Sequence, residues 1–309
     1  MMTAPPKISI VVPSFNQGEF LGECLRSIID QQYPALELIV IDGGSTDASV
    51  SIIESVSEQL DYWVSEPDGG QSAAINKGFG KASGQLVAWL NSDDYYLPGT
   101  LEAVARAYEA NPEAPFYFGD GLRVDRSGSV LGRFFPKGLV PFDRTAFVMG
   151  LNYILQPSTF MQGRAMSQIG YLDTDLHYGM DSDLWIRLSA LGQPQMVDGV
   201  LAASREYETT KTASGAFKRI EELRDIAARH SGSDMTPGVL CYFLDTLYRH
   251  CKDNPETYPE SYLAAISRFW GETSGLFEQF NAGRDGFPLP PVKQGVFDRI
   301  FSATKKERA

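Results

Sequence analysis

The 309-residue chain suits one large α/β domain, or a domain of about 200–250 residues with a smaller appendage, and it can bury a full core without disulfides or metals. Its 27 basic and 39 acidic residues leave a net charge of −12, which argues against nucleic acid as a partner because phosphate binding needs a basic surface. The three cysteines, Cys24, Cys241 and Cys251, form no CxxC pair, no apolar run approaches the ~18 residues of a spanning helix, and residues 1–6 lack a signal-peptide core; together these point to a reducing, cytoplasmic setting.

An apolar run over 8–12, ended by Pro13, reads as a buried parallel strand. Phe20, Leu21, Cys24, Leu25, Ile28 and Ile29 then recur at helical spacing and predict a helix over 18–32. A second strand follows over 36–41, and a second helix over 48–60 has Ser45 or Thr46 as its N-cap. A third strand (61–65) leads to a short helix over 72–81 broken by Gly78 and Gly80. Residues 86–90 make the fourth strand, and a helix over 98–110 stops at Asn111-Pro112. Such βαβ repetition predicts a mostly parallel, Rossmann-like sheet with helices on both faces. Strand-like runs over 116–119 and 130–135 suggest an antiparallel extension. Leu184, Trp185, Leu188 and Leu191 mark a helix over 181–191, with Trp185 on its apolar, core-facing side. Beyond about 213 the pattern is helical, over 216–230, 236–251 and 258–270, and a Gly/Pro-rich linker spans 281–292. Residues 292–309 place Val292, Val296, Phe297, Ile300 and Phe301 at helical spacing, with five basic against two acidic residues. That pattern suits a terminal helix packed on the body or lying on an anionic bilayer.

Ligands of open parallel sheets bind beyond the carboxyl ends of the strands. Those ends carry Pro13-Ser14-Phe15-Asn16, Asp42-Gly43-Gly44, Glu66-Pro67-Asp68 and Asn91-Ser92-Asp93-Asp94. One such cluster is an ordinary cap or turn, but four on one edge make a polar pocket. Its carboxylates repel one another unless a cation lies between them. Mg²⁺ or Mn²⁺ binds through one or two carboxylates plus ligand phosphates, which points to a nucleotide or sugar-nucleotide. The chain has no GxxxxGK[ST] and no GxGxxG after the first strand, which disfavours a P-loop kinase or a dinucleotide dehydrogenase. His177 lies near Asp173 and Asp175, yet without a Gly-x-Ser-x-Gly elbow a hydrolase triad is a poor reading.

These segments, together with Val40-Ile41-Asp42-Gly43-Gly44-Ser45-Thr46-Asp47, Asn76-Lys77-Gly78, Trp89-Leu90-Asn91-Ser92-Asp93-Asp94 and Tyr178-Gly179-Met180-Asp181-Ser182-Asp183-Leu184-Trp185, resemble the inverting family 2 glycosyltransferases in order and spacing across roughly residues 7–212. The resemblance implies the glycosyltransferase A fold. A catalytic domain over 1–212 would comprise a nucleotide-binding half (1–115) and an acceptor-binding half (116–212), followed by a helical extension over 213–309. Asp42 would bond the nucleobase, Pro13 and Ser14 would line base and ribose, and Asn16, Asp68, Asn76, Asn91 and Ser92 would complete the nucleotide site. Asp93 would hold a divalent cation, Mn²⁺ or Mg²⁺, against the donor diphosphate. Asp181 would be the base that takes the acceptor's proton, and Gln156, Pro157 and Ser158 would open the acceptor side.

The implied donor is a nucleotide-diphospho-sugar, UDP-linked, and the acceptor a saccharide or lipid-linked saccharide in polysaccharide, lipopolysaccharide or glycan assembly. A homodimer and peripheral attachment to the inner face of the membrane are compatible with this reading. The chain departs from the family pattern at four positions: Asn91 replaces the usual first acid, Gly43 the second Asp after Asp42, Ile75 an Arg before Asn76, and Met180 an acid before the base. Three of these, Asn91, Gly43 and Ile75, leave a non-catalytic nucleotide-sugar-binding subunit as the alternative. A sugar-phosphate nucleotidyltransferase would need Arg and Lys after the first strand, where Pro13-Ser14-Phe15-Asn16-Gln17-Gly18 has neither.

Overall fold

The opening apolar run becomes β1 (Ile8–Ser14), buried along its whole length. It pairs in parallel with β2 (Leu36–Asp42) on one side and β4 (Leu86–Trp89) on the other, and β3 (Tyr62–Ser65) adds in parallel to β2. The computed structural model describes residues 4–136, 138–139, 141–208, 210–211 and 215–268. Together with β5 (Tyr95–Tyr96), β6 (Phe116–Val124), β7 (Val130–Arg133), β8 (Thr159–Gln162) and β9 (Gln195–Arg205), these strands form one sheet in the order β3-β2-β1-β4-β8-β6-β9-β5, with β7 paired to β6.

The expected antiparallel extension takes a different form. The reversed strand beside β4 is β8 (Thr159–Gln162), which the sequence pattern did not mark. β6 is antiparallel to β8, so it points the same way as β1, and β9 (Gln195–Arg205) runs parallel to β6. β7 and the two-residue β5 (Tyr95–Tyr96) are reversed. Strands β1, β2, β3, β4, β6 and β9 therefore share one direction, and their carboxyl ends share one edge.

The helices follow from where apolar side chains recur. α1 (Leu21–Ile29) buries Leu21, Cys24, Leu25 and Ile28. α2 (Ser49–Ser55) is capped by neither Ser45 nor Thr46; the Asp47 carboxylate accepts the Ser49 amide at 2.9 Å, satisfying a first-turn donor. α3 (Gln71–Phe79) runs straight through Gly78. A Cβ at that position would strike the Val11 side chain, so the glycine is where helix and strand approach most closely rather than a break. α4 (Thr100–Ala110) and α6 (Gly163–Ile169) follow. α7 (Met180–Leu188) sends Trp185 into the core, stacked between Trp89 at 5.6 Å and Phe116 at 5.5 Å.

The chain divides into two compact units, one of Met1–Phe142 with Ile154–Thr210, the other of Asp143–Tyr153 with Lys211–Ala309. The first contains the whole sheet. In the second, α5 (Arg144–Val148) accompanies α8 (Ala216–Ser231) and α9 (Pro237–Asp253). Leu151 and Ala146 pack on Cys241, and Gly238 lies so close to the Gly150 backbone that a Cβ would collide with it. Residues 260–268 are helical. The end of the helix expected over 258–270, the linker over 281–292 and the basic helix over 292–309 lie outside the described residues. Among the described residues no helix is long and apolar enough to cross a membrane.

Candidate active site

The shared edge assembles first around Asp42, the last residue of β2, paired in register with Ser14 of β1. Asp42 is wholly buried. Its carboxylate accepts the Ser45 hydroxyl at 2.5 Å, the Ser45 amide at 2.8 Å, the Gly44 amide at 3.2 Å and the Ser65 hydroxyl at 2.7 Å. Burial opposes its charge, but these bonds outweigh it and hold the carboxyl below the usual range. Asn16 takes a left-handed backbone, φ 52°, which asparagine tolerates. Its amide donates to the Ser45 hydroxyl (2.8 Å) and its side-chain oxygen accepts the Thr46 amide (2.9 Å). Asn16 thus stitches the loop after β2 to the end of β1, while Asp42 ties that loop to Ser65 of β3. Pro13 and Ser14 are buried in the sheet, paired in register with Ile41 and Asp42.

Asp68 is exposed, and its carboxylate accepts the Gly70 amide at 2.7 Å. It rests against Gly43, where a Cβ would come within 3.0 Å of its Oδ2. The glycine that departs from the family pattern therefore makes room for Asp68, and an acid at 43 would crowd and repel it. Ile75, in place of the usual Arg, is core, and the neighbouring Lys77 pairs with Glu66.

At the end of β4 the residues form a wired cluster. The Asn91 side-chain oxygen accepts from Gln71 Nε2 (2.8 Å), and its amide donates to Gln156 Oε1 (3.1 Å) and, more distantly, to Asp94 Oδ2 (3.4 Å). Gln156 in turn donates to the Trp89 carbonyl at 2.9 Å. Ser92 and Asp94 are buried, and Asp93 is partly exposed. Burial, then the neighbouring charge of Asp93, pushes the Asp94 carboxyl well above its ordinary value. Burial also raises Asp93, against the pull of a hydrogen bond from the Tyr207 hydroxyl at 2.8 Å.

Arg205, the last residue of β9, backs this pair. Its amide donates to Asp94 Oδ1 (2.9 Å) and its Nε to the Asp93 carbonyl (2.9 Å). Its remaining nitrogens reach Glu23 at 2.6 Å and the carbonyls of Asp125 and Arg126. Sequence reasoning missed Arg205 and Tyr207. The signal that could have found them is the rule that found the others: Arg205-Glu206-Tyr207 is one more polar strand end, hidden because β9 was not recognised.

Asp181 is the second residue of α7, with Gly179 rather than Asp181 at the cap. Its carboxylate accepts the Ser182 amide at 2.6 Å. Asp183 is fully buried and paired with Arg187 at 2.7 Å, so its charge is already answered. α3 ties α7 to the β4 end. Gln71 bonds Asn91, while the adjacent Ser72 donates to Met180 Sδ (2.8 Å) and to the Leu176 carbonyl (3.3 Å). Asn76 clasps the Leu172 backbone, donating to its carbonyl (2.8 Å) and accepting its amide (3.0 Å). The structure thus gathers Pro13, Ser14, Asn16, Asp42 and Asp68 at the β1–β2 ends, and joins Asn91, Ser92 and Asp93 to Asp181 through α3. It commits Asn76 to a loop.

Among the described residues no three His, Cys, Asp or Glu side chains form a ready-made metal cluster. The donor set still fits a hard cation completed by ligand phosphates: Asp93 is a partly buried carboxylate whose charge burial disfavours, and Mg²⁺ or Mn²⁺ needs only one or two carboxylates from the protein.

Residues 9–119 match the family model described as glycosyl transferase family 2. Over 236 residues the chain is 30% identical to an uncharacterized glycosyltransferase of Mycobacterium tuberculosis, Rv1514c, spanning 74% of this chain and 87% of that one. It is 27% identical to an uncharacterized glycosyltransferase of Rickettsia typhi over 72% of this chain and 71% of that one. The chain belongs to glycosyltransferase family 2. Its fold is similar to that of S. aureus TarS 1-349, solved with UDP-GlcNAc (TM-score 0.61, 19% identity, 88% of this chain and 81% of that one). It is also similar to the mannosyltransferase PcManGT of Pyrobaculum calidifontis, solved with GDP-Man and Mn²⁺ (TM-score 0.56, 18% identity, 98% and 87%). The sheet and its flanking helices have the glycosyltransferase A fold.

Proposed function

We propose that this chain is an inverting transferase that moves a sugar from a UDP-linked donor to an acceptor hydroxyl on a saccharide or lipid-linked saccharide. One observation carries the reading: the adjacent residues Gln71 and Ser72 bond Asn91 and Met180, respectively, so a single helical turn holds together the segments bearing Asp93 and Asp181. Displacement at an anomeric carbon needs a proton acceptor on one side and neutralisation of the departing diphosphate on the other. Asp181 supplies the carboxylate that takes the acceptor hydroxyl's proton. Asp93 is the residue that would hold a divalent cation, Mn²⁺ or Mg²⁺, which when bound offsets the negative charge of the diphosphate. Arg205 and Asn91 fix the turn on which Asp93 stands, and Asp42 keeps the loop after β2 in shape for the nucleoside.

The test is turnover of UDP-sugars with Mn²⁺, read both as transfer and as slow hydrolysis. Asp181→Asn should lower transfer by roughly 10²- to 10⁴-fold while UDP binding stays at the wild-type level. Asp93→Ala should remove the Mn²⁺-dependent part of turnover. Wild-type rates in Asp181→Asn would contradict the base assignment, and product with retained anomeric configuration would contradict the inverting step.

A further inference from the structure

Tyr207 stands 114 positions from Asp93 in the sequence, yet its hydroxyl donates to Asp93 Oδ2 at 2.8 Å. The ring is held on two sides. Phe20 lies 5.4 Å away, tilted by 41°, and the Arg126 guanidinium sits 5.4 Å from the ring centre. Arg126 is fixed by a two-point pairing with Glu19 and also covers the Phe20 ring. Arg205, two residues earlier, is clamped to the Asp93 carbonyl, so the backbone on either side of the contact is anchored. A phenol keeps its proton at neutral pH and an ionised carboxylate can only accept, so the Tyr207 hydroxyl is the donor in this bond.

Resting on the proposed role of Asp93, we propose that Tyr207 is a positioning residue for the donor's cation: its hydroxyl occupies one oxygen of the Asp93 carboxylate, fixes the rotamer, and reserves the other oxygen for the ion. A carboxylate at a strand end otherwise rotates freely about its last bond, and a cation must then pay the ordering cost. Outer partners of metal-binding groups act in this way, and their loss weakens metal affinity by roughly 10- to 100-fold. Tyr207→Phe deletes the hydroxyl and keeps the ring packing.

The experiment titrates Mn²⁺ into the full-length protein with saturating UDP and follows free Mn²⁺ by electron paramagnetic resonance, alongside metal-free UDP binding and thermal unfolding. Wild type should take up about one Mn²⁺ that depends on UDP. Tyr207→Phe should bind that ion roughly 10-fold or more weakly, with UDP affinity in the absence of metal and the melting temperature both unchanged. Arg126→Ala, which loosens the ring cover but keeps the hydroxyl, should cost less Mn²⁺ affinity than Tyr207→Phe. Unchanged Mn²⁺ affinity in Tyr207→Phe, or an equal loss in both variants, would overturn the positioning role while leaving Asp93 as the ion's ligand. A wild-type chain that binds UDP but takes up no Mn²⁺ would overturn the cation reading and this one with it.

Discussion

Glu37, Asp42 and Asp94 are all buried, yet their charges are treated differently because their partners differ. Asp94 meets another acid and is driven towards its neutral form, whereas Asp42 meets hydroxyls and amides and stays ionised. Glu37 lies in β2 away from the site. Burial works against its charge, but the Lys7 ammonium (2.6 Å), the Ser9 hydroxyl (2.5 Å) and the Ser83 amide and hydroxyl (2.7 Å each) hold its carboxyl down at about 2. The ordinary value for an unfolded chain is near 4.3. A depressed carboxyl stabilises the fold above that value and loses the contribution as pH falls from about 4.3 through 2. Urea unfolding at pH 5 and pH 3 should therefore show wild type losing on the order of 2 kcal/mol more than Glu37→Gln between the two conditions. Equal losses would show that Glu37 is not paired in solution. That Asp42 and Asp93 fall at strand ends and Asp181 at the start of a helix was legible in the sequence, because apolar runs and local motifs mark those places. Arg205 and Tyr207 were not, since the residues they bond lie 112 and 114 positions away.

Among the elements, α3 carries the most consequence for its length. Within nine residues it reaches Asn91 through Gln71, Met180 through Ser72 and Leu172 through Asn76. Its distance from the sheet is set by Gly78 against Val11. Helix propensity alone favours Gly78→Ala by about 1 kcal/mol. Overpacking costs about 1–3 kcal/mol and should win here, because the added methyl meets a buried β-branched side chain. Gly78→Ala should then lower the melting temperature and slow transfer together, as the helix lifts and its three tethers stretch. A raised melting temperature would show that α3 does not press on β1 as described. In the sequence Gly78 looked like a helix breaker, since a glycine demanded by close approach reads the same as one that ends a helix. Strands β1, β2 and β4 were legible from continuous apolar runs. β9 was not, because Asp198 and Gly199 interrupt it, with Gly199 at φ 110° and register shifts beside β6.

For the molecule as a whole, the sequence placed a single boundary near 212, where family-like motifs stop. The second compact unit takes up the chain again at Lys211 and also includes Asp143–Tyr153, held to the later helices by Leu151 on Cys241 and by the bond from the Tyr242 hydroxyl to the Asn152 carbonyl at 3.4 Å. No local pattern announces such a segment, because its partners lie some ninety positions downstream. The sheet unit carries every residue assigned here to donor and base. The most direct measurement of that assignment is anomalous diffraction from crystals of the full chain grown with UDP and Mn²⁺. The expected result is a manganese peak about 2.1 Å from an Asp93 carboxylate oxygen and in contact with the diphosphate. UDP bound with the ion elsewhere, or with Asp93 turned away from it, would contradict the central claim.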